Sequence, residues 1–289
     1  MGNWIAKAVF QPPPATYGGH AIKLNWRRTK NKREIPCTFI DNNSEYTILF
    51  SHGNAEDIGM VVTLLRGWSE KVQVNLLVYD YVGYGVAKRD RVTGEDLIPS
   101  EQGCYDAVET CFDFLRNDLK KDTNKIILWG RSLGSGPTCW LGKKCAKENI
   151  PLCGIILQSA FQSIFRVAFD FRLSLPGDLF PNIDRIPFVD VPVMVIHGTK
   201  DEIVPFFNGE RLFFAVPPKL RYEPKWVANG NHNNIEYILG EDDQLAKIFA
   251  EFVAYASDND YQKPTTLFDV NSQRKSSTKK TRKGSWFGR

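Results

Sequence analysis

Six short apolar runs, separated by amphipathic stretches, constrain the fold more than any other feature of this sequence. The runs lie at 46–52, 74–80, 125–130, 152–159, 191–198 and 224–229. Several are hydrophobic at every position, which is the pattern of parallel strands that are covered on both faces. Segments with helical spacing lie between or after them, at 57–71, 101–118, 134–148, 206–215 and 241–256. This alternation predicts an α/β fold with a mostly parallel, doubly wound sheet and helices on both of its faces.

The segments outside this alternation suggest the domain organisation. Residues 21–26 and 35–41 alternate apolar and polar side chains, which predicts antiparallel edge strands, with a hairpin turn at 41–44. Residues 160–190 are rich in Phe and Leu and interrupted by Pro, which predicts a short insertion over the sheet. We therefore divide the chain into an N-terminal extension with edge strands (1–45), a main α/β domain (46–257) and a disordered basic tail (258–289).

Charge is distributed unevenly along the chain. From Asn271 to Arg289 there are seven Lys or Arg and no Asp or Glu, whereas the remaining residues include 30 basic and 33 acidic side chains. A nucleic-acid-binding body would need basic residues clustered on its folded surface. The charge pattern therefore argues against nucleic acid as a partner.

Cysteine spacing and the lack of long apolar segments indicate the compartment. The six cysteines, from Cys37 to Cys153, show neither C-x-x-C pairing nor the spacing of zinc ligands, and no secretory signal is visible. No run of about 18 apolar residues, the length that spans a membrane, occurs. We expect a cytoplasmic, monomeric protein with reduced cysteines.

A glycine-rich turn supplies the candidate nucleophile. Residues 130–134 read G-R-S-L-G, a match to G-x-S-x-G between a hydrophobic run and a helical segment. In this context the motif describes a serine nucleophile, here Ser132, on a tight strand-to-helix turn. Gly130 and Gly134 are needed because side chains at these positions would clash. Ser135 fails the pattern, since a leucine replaces its first glycine, and we expect it in the first turn of the helix.

The general base follows by elimination among four histidines. The expected chain order is serine, acid, histidine, and His20 and His52 both precede Ser132. His197 ends a strand and leaves no strand-end acid before it, so we interpret it as a turn residue. His232, in the loop after the last strand, remains as the base that takes the serine proton and returns it to the leaving group.

The acid and the donors to a reacting carbonyl should come from neighbouring loops. Asp201 follows the fifth apolar run and would hold the imidazole in the required tautomer, with Glu202 as the alternative. An oxyanion would meet two backbone N–H groups, those of Leu133 and Asn54.

Other chemistry finds little support. The G-Y-G at 83–85 lacks the full phosphate-loop pattern, and the histidines are too scattered for a metal site. We predict no metal and no cofactor. Glu56 and Asp57 are expected at the N-terminus of the following helix.

These motifs together resemble the alpha/beta-hydrolase domain-containing protein 17 family. The stretches that carry the resemblance are YTILFSHGNAEDIG (46–59), LLVYDYVGYG (76–85), IILWGRSLGSGPT (126–138), VPVMVIHGTKDEIVP (191–205) and GNHNNIE (230–236). The resemblance implies an α/β-hydrolase fold with a catalytic domain at 46–257 and a serine hydrolase that removes palmitate from membrane-associated proteins. It also implies Ser132, Asp201 and His232 as the catalytic triad.

The animal family members carry an N-terminal cysteine cluster that is itself palmitoylated, and here we consider a different anchor. This chain has no cysteine before Cys37, but Gly2 offers a myristoylation site after Met removal, although Ala6 replaces the usual Ser or Thr. One myristoyl chain binds membranes only marginally, so we expect the basic tail to add attraction to an anionic membrane. Alternatively, the tail is a solubilising segment or a nuclear localisation signal.

The sequence therefore predicts a serine hydrolase of acyl thioesters or esters, peripherally associated with a membrane, that acts on an acylated protein or lipid. The insertion at 160–190 would form part of the acyl groove or pack into the core. Three alternatives remain: a lipase or lysophospholipase, a serine peptidase, and a non-catalytic binding module on the same fold.

Overall fold

The computed structural model describes residues 9–18, 22–167 and 177–258. Its strands are β1 (Asn25–Arg28), β2 (Glu34–Ile40), β3 (Thr47–Ser51), β4 (Asn75–Tyr79), β5 (Ile126–Arg131), β6 (Gly154–Gln158), β7 (Val193–Gly198) and β8 (Lys225–Val227). They form one eight-stranded sheet in the order β1-β2-β4-β3-β5-β6-β7-β8. In this spatial order, each neighbouring pair from β4 onward is parallel. The pairs β1/β2 and β2/β4 are antiparallel.

Helices follow β3, β4, β5, β7 and β8, and those after β3, β4, β5 and β7 connect parallel strands. The helices are α1 (Ile58–Lys71), α2 (Glu101–Asp113), α3 (Ser135–Lys147), α4 (Phe207–Ala215), α5 (Ile235–Gly240) and α6 (Gln244–Ser257). The helix predicted at 101–118 ends as a π-helical turn over Phe114–Asp118. The helix predicted from 241 begins later, because Asp242 and Asp243 adopt left-handed φ angles of 54° and 58°.

Apolar side chains fill both faces of the sheet. Leu49 of β3 and Leu77 of β4 belong to the core on one face. Their neighbours in sequence, such as Ile48 and Leu76, belong to the core on the opposite face. Because alternate side chains of a strand point to opposite faces, a strand buried on both sides must be apolar throughout. This confirms the predicted doubly wound α/β fold.

The hairpin predicted at 41–44 is wrong. β2 pairs with β4 and not with β3, so residues 41–44 connect two strands that are not neighbours. The Asn75 side chain of β4 holds this connection, accepting hydrogen bonds from the N–H groups of Asn42 and Ser44. The hairpin in this region lies between β1 and β2, and the predicted edge strand at 21–26 begins only at Asn25.

The described residues of the insertion at 160–190 form short turns. Where it is described, it forms 3₁₀ turns at Phe165–Val167, Asn182–Asp184 and Ile186–Phe188. Phe180 is fully buried in the core, so part of the insertion does pack against the sheet. Residues 168–176 lie outside the described residues.

The predicted anchoring elements also lie outside the described residues: Gly2, and the tail from 259 onward. Within the portion of the chain that is described, no helix is both long enough and apolar enough to cross a bilayer.

Candidate active site

Ser132 directly follows β5, at the carboxyl edge of the sheet. A 3₁₀ turn over Ser132–Gly134 leads into α3, whose first residue, Ser135, donates a hydrogen bond from its hydroxyl to the Ser132 carbonyl at 2.7 Å. Ser135 therefore belongs to the first turn of the helix, as predicted. Ser132 itself has a φ of 51°, a left-handed conformation that is uncommon for a residue with a side chain. Such strain at a serine is typical of a functional turn.

Backbone contacts surround both glycines of the turn. A Cβ atom at Gly134 would lie 1.9 Å from the Ser51 carbonyl oxygen of β3. A Cβ at Gly130 would lie 2.5 Å from the Gly134 carbonyl oxygen. Because these obstacles are backbone atoms, they cannot swing away to make room. The turn therefore packs directly against the ends of β3 and β5.

Replacing Gly134 by alanine should destabilise the fold by about 3 kcal/mol, because backbone would have to move to admit the methyl group. The free energy of unfolding in urea measures this. Gly67→Ala is the matched control, since Gly67 is exposed within α1 and an added Cβ there would meet no atom within 4 Å. That change should stabilise by about 0.5–1 kcal/mol through helix propensity. Equal effects of the two changes would contradict the close contact at Gly134.

The structure brings Ser132, His232 and Asp201 together from three separate loops. The Nε2 atom of His232 lies 3.0 Å from the Ser132 Oγ. Its Nδ1 atom lies 2.8 Å from Oδ2 and 3.1 Å from Oδ1 of Asp201. All three residues are buried, and Asp201 also accepts hydrogen bonds from the N–H groups of Ile203 and Val204. Chemically, this chain can move a proton from the serine hydroxyl to the imidazole while the carboxylate fixes the imidazole.

Asp201 remains ionised in this environment. Burial by itself would raise its pKa, but the hydrogen bond and charge of His232, the Val204 N–H and His197 together lower it below the usual aspartate value. Glu202, the alternative acid, is exposed, whereas its neighbour Asp201 makes the contact with His232. The acid of the candidate site is therefore Asp201.

The interpretation of His197 as a turn residue is wrong. It lies within β7 and is fully buried, and its Nε2 donates to the Val204 carbonyl at 2.9 Å. Burial lowers its pKa below the ordinary histidine value and outweighs the opposing effects of that carbonyl and of Asp201. His197 is therefore a neutral core residue beneath the Asp201 loop. A strand-end position cannot be distinguished from a turn by apolar pattern alone.

His52 does not join the site. His52 is fully buried, with its Nδ1 atom 2.7 Å from the Gly53 carbonyl oxygen and its ring packed on that of Tyr81 at 4.3 Å. His20 lies outside the described residues.

Asn54 lies in the loop after β3 and is held by its side chain. Its Oδ1 accepts hydrogen bonds from the Gln11 N–H at 2.9 Å and from the Tyr84 hydroxyl at 2.6 Å. Its Nδ2 donates to the Val9 carbonyl at 2.6 Å. The N-terminal segment thus fixes this loop, a role for residues 9–11 that the sequence reasoning missed.

A cavity of about 1320 Å³ opens over the serine. Ser132, His232, Leu133 and Asn54 all line it. Phe161, Ile164 and Val167 line it too, so the insertion contributes to the cavity as well as to the core.

Exposed apolar side chains concentrate around this cavity. Of the eight large hydrophobic residues exposed in the described part of the chain, four line the cavity, and we call them the cavity rim: Met60, Leu64, Ile203 and Tyr237. Exposed apolar surface grouped in this way is typical of a binding site. The cavity therefore suits an apolar ligand.

A buried charge cluster beside the serine was not predicted. Arg131 forms ion pairs with Glu56 and Glu236, and all three side chains are largely buried. Glu56 does lie at the helix N-terminus, directly before the N-cap residue, but its carboxylate pairs with Arg131. Asp57 does cap α1, accepting a hydrogen bond from the Met60 N–H at 3.0 Å. A buried arginine requires acidic partners, but the sequence motif around Arg131 does not indicate which residues they are.

Possible metal ligands are not clustered in the described residues: no group of three or more His, Cys, Asp or Glu side chains is placed to hold an ion.

Solved structures share this fold. An esterase from Pyrococcus furiosus superposes with a TM-score of 0.63 at 14% identity, covering 85% of this chain and 99% of its own. A monoacylglycerol lipase from Paleococcus ferrophilus gives a TM-score of 0.55 at 14% identity, covering 77% of this chain and 99% of its own. The fold is that of the α/β hydrolases.

Curated proteins are similar in sequence, although no family model matches the chain. The alpha/beta hydrolase L404 of Acanthamoeba polyphaga mimivirus is 36% identical over 81% of this chain and 89% of its own length. The human alpha/beta hydrolase domain-containing protein 17C is 37% identical over 75% of this chain, which spans 62% of that relative. The human protein 17B is 34% identical over 75% of this chain and 71% of its own length. The chain belongs to the alpha/beta-hydrolase domain-containing protein 17 family.

Proposed function

We propose that this α/β hydrolase cleaves long-chain acyl thioesters or esters through an acyl-enzyme, and that its substrates are S-palmitoylated proteins at a membrane surface. One observation carries the proposal. The hydrogen-bonded chain from Ser132 through His232 to Asp201 opens directly onto the apolar cavity.

The first half of the reaction acylates Ser132. Its Oγ attacks the carbonyl carbon of the substrate while its proton passes to Nε2 of His232, and Asp201 stabilises the imidazolium through Nδ1–H. The bond from carbonyl carbon to sulfur or oxygen then breaks, and the leaving thiol or alcohol takes the proton from His232. In the second half, water attacks the acyl-serine with His232 again as base. The acid is released and the Ser132 hydroxyl is restored.

Negative charge develops on the carbonyl oxygen in both halves. We assign its stabilisation to the backbone N–H groups of Leu133 and Asn54, two residues that line the cavity together with the serine. Because hydrogen bonds hold the Asn54 side chain on both of its polar atoms, its backbone has little freedom to reorganise. A preorganised donor of this kind contributes more than a mobile one.

The cavity rim favours a long acyl chain over a short one. Each methylene group removed from water contributes about 0.8 kcal/mol, so a palmitoyl chain gains far more than an acetyl group from an apolar cavity. A thioester or ester also suits the site better than an amide does, because an amine leaving group requires firmer protonation than a thiol.

Replacing Leu64 by serine should lower kcat/KM for a palmitoyl ester by about 10-fold and change that for an acetyl ester by less than about 2-fold, since only the long chain reaches the rim. Hydrolysis of nitrophenyl esters of both lengths measures this. Val92→Ser, which alters an equally apolar but more exposed side chain away from the cavity, should leave both rates unchanged. A parallel loss on both esters would exclude Leu64 from acyl-chain binding.

The proposed activity is tested by comparing turnover on three substrates: a palmitoylated cysteine peptide, a lysophospholipid and a peptide amide. We expect the thioester to turn over fastest. Faster cleavage of the lysophospholipid or of the amide would replace the proposal with a lipase or a peptidase. No turnover of any substrate, together with no labelling by a fluorophosphonate, would mean a binding module.

Membrane attachment through Gly2 and the basic tail remains part of the proposal. Gly2→Ala should shift the protein from the membrane fraction to the supernatant of lysed cells, because the myristoyl chain requires an N-terminal glycine. Removal of the tail in the same variant should complete the shift. Membrane association that is unchanged by Gly2→Ala would exclude lipid attachment at this position.

A further inference from the structure

Arg131 is a buried cation in the wall of the cavity, where it lies between two carboxylates. Among the described residues that line the cavity, those with a fixed charge are Glu56, Arg131 and Glu236. The Arg131 side chain is only 8% exposed. A charge that is buried to this degree is tolerated only when partners satisfy it.

The guanidinium contacts two segments at once, the loop after β3 and residues 232–236 after β8. Its Nη1 pairs with Glu56, and its Nε lies 3.2 Å from a carboxylate oxygen of Glu236. Its Nη2 donates to the His232 carbonyl at 3.3 Å and to Oδ1 of Asn233 at 3.2 Å. Since the guanidinium is planar and rigid, its two hydrogen bonds to the His232 loop fix direction as well as distance, whereas Glu236 contributes an ion pair without hydrogen-bond geometry.

The two acidic partners are themselves anchored. Glu56 accepts a hydrogen bond at 2.6 Å from the Gly53 N–H, in the loop that carries Asn54. Glu236 accepts one at 2.7 Å from the side chain of Gln158, the last residue of β6. Arg131 therefore joins the loops that follow β3 and β8 to the strand that carries Ser132.

We propose that Arg131 is a positioning residue, whose guanidinium holds the His232 loop and, through Glu56, the Asn54 loop in register with Ser132. It acts through these loops and not on the reacting atoms. The expected effect on catalysis rests on the proposed function, whereas the positioning of the two loops does not depend on it.

The loop around His232 has few other ties to β5. Within the loop, the Asn231 N–H bonds to the Asn234 side chain and the Asn233 N–H bonds to Asn231. These bonds shape the loop but do not connect it to the nucleophile strand. Asp201 holds the imidazole from the loop after β7, but on the side of β5 the guanidinium and the 3.0 Å contact between Ser132 and His232 are what tie this loop to the nucleophile.

Arg131→Lys provides the main test, because it keeps the positive charge and removes the rigid fork. On a short-chain nitrophenyl ester, we expect kcat to fall about 10- to 30-fold with KM within about 2-fold of the wild type. Amide hydrogen exchange over residues 230–234 should become at least 5-fold faster, while exchange in α4 stays unchanged. Arg89→Gln, which removes an exposed ion pair with Asp96, should alter none of these quantities.

Asn233→Ala is the second variant, chosen because Asn233 is exposed and its loss should leave folding intact. It removes one acceptor of Arg131 and should lower kcat about 3- to 10-fold at an unchanged unfolding temperature.

The inference would be overturned if Arg131→Lys kept the wild-type kcat or left hydrogen exchange at 230–234 unchanged. It would also be overturned if active-site titration showed that the loss in kcat equals the loss of active molecules, because each remaining site would then be as fast as in the wild type. If the wild type were inactive but amide hydrogen exchange at 230–234 were still faster in Arg131→Lys, the proposed function would be rejected and the positioning role would be supported.

Discussion

Replacement of Ser132 by alanine is expected to reduce acyl thioester hydrolysis by about 10⁶-fold, the scale on which removal of a serine nucleophile acts. The change deletes a single oxygen, which lies 3.0 Å from Nε2 of His232. Because the backbone turn and its glycine contacts remain, the free energy of unfolding should change by less than about 1 kcal/mol. Turnover of a palmitoylated peptide and the unfolding temperature, measured on the same preparation, separate chemistry from folding.

Ser135→Ala is the matched control for this prediction. Ser135 is three residues further along, in the first turn of α3, and its hydroxyl bonds to the Ser132 carbonyl and to the Asn182 side chain. We expect a loss of at most about 10-fold, through a small displacement of the turn. If Ser135→Ala abolished turnover while Ser132→Ala kept it, the assignment of the nucleophile would be wrong.

Replacement of Asp201 by asparagine should reduce kcat by about 10⁴-fold with little change in shape. An amide group facing Nδ1 of His232 favours the imidazole tautomer that carries its proton on Nε2, and this tautomer cannot accept the Ser132 proton. Steady-state kinetics at neutral pH measures the loss. Glu202→Gln, one residue further along and exposed, should retain most of the activity. Comparable losses in the two variants would contradict the role of Asp201.

Acid stability should change in the same Asp201→Asn variant. The folded-state pKa of Asp201 lies below its ordinary value, despite the opposing effect of burial, because His232, the Val204 N–H and His197 favour the carboxylate. Its ionisation therefore stabilises the fold above the unfolded pKa of about 3.9, and this contribution is lost as the pH falls through the folded pKa. Unfolding free energies of the variant should accordingly fall less steeply below about pH 4 than those of the wild type.

Periodicity and chain order were enough to predict the sheet and the candidate triad. A strand buried on both faces must be apolar throughout, and strands as central as β3 and β5 leave that signal in a single sequence. The triad residues could be named because loops after parallel strands collect at one edge of the sheet, and because just one histidine followed all the candidate acids.

Features that depend on distant contacts could not be predicted in this way. The connection at 41–44 resembles a hairpin turn locally, but the pairing of β2 with β4 is decided by the whole sheet. The helix α5 has only six residues, too few for a helical period to show. The acidic partners of Arg131, Glu56 and Glu236, are far from it in sequence. The G-x-S-x-G motif therefore shows that a charge is present but not which residues neutralise it.

The most direct test of the central claim is the site of covalent modification by a fluorophosphonate, located by mass spectrometry of the digested full-length protein. We predict one adduct, on Ser132, which forms rapidly in the wild type and much more slowly in Asp201→Asn. An adduct on any other residue, or no adduct under conditions that label a known serine hydrolase, would contradict the account.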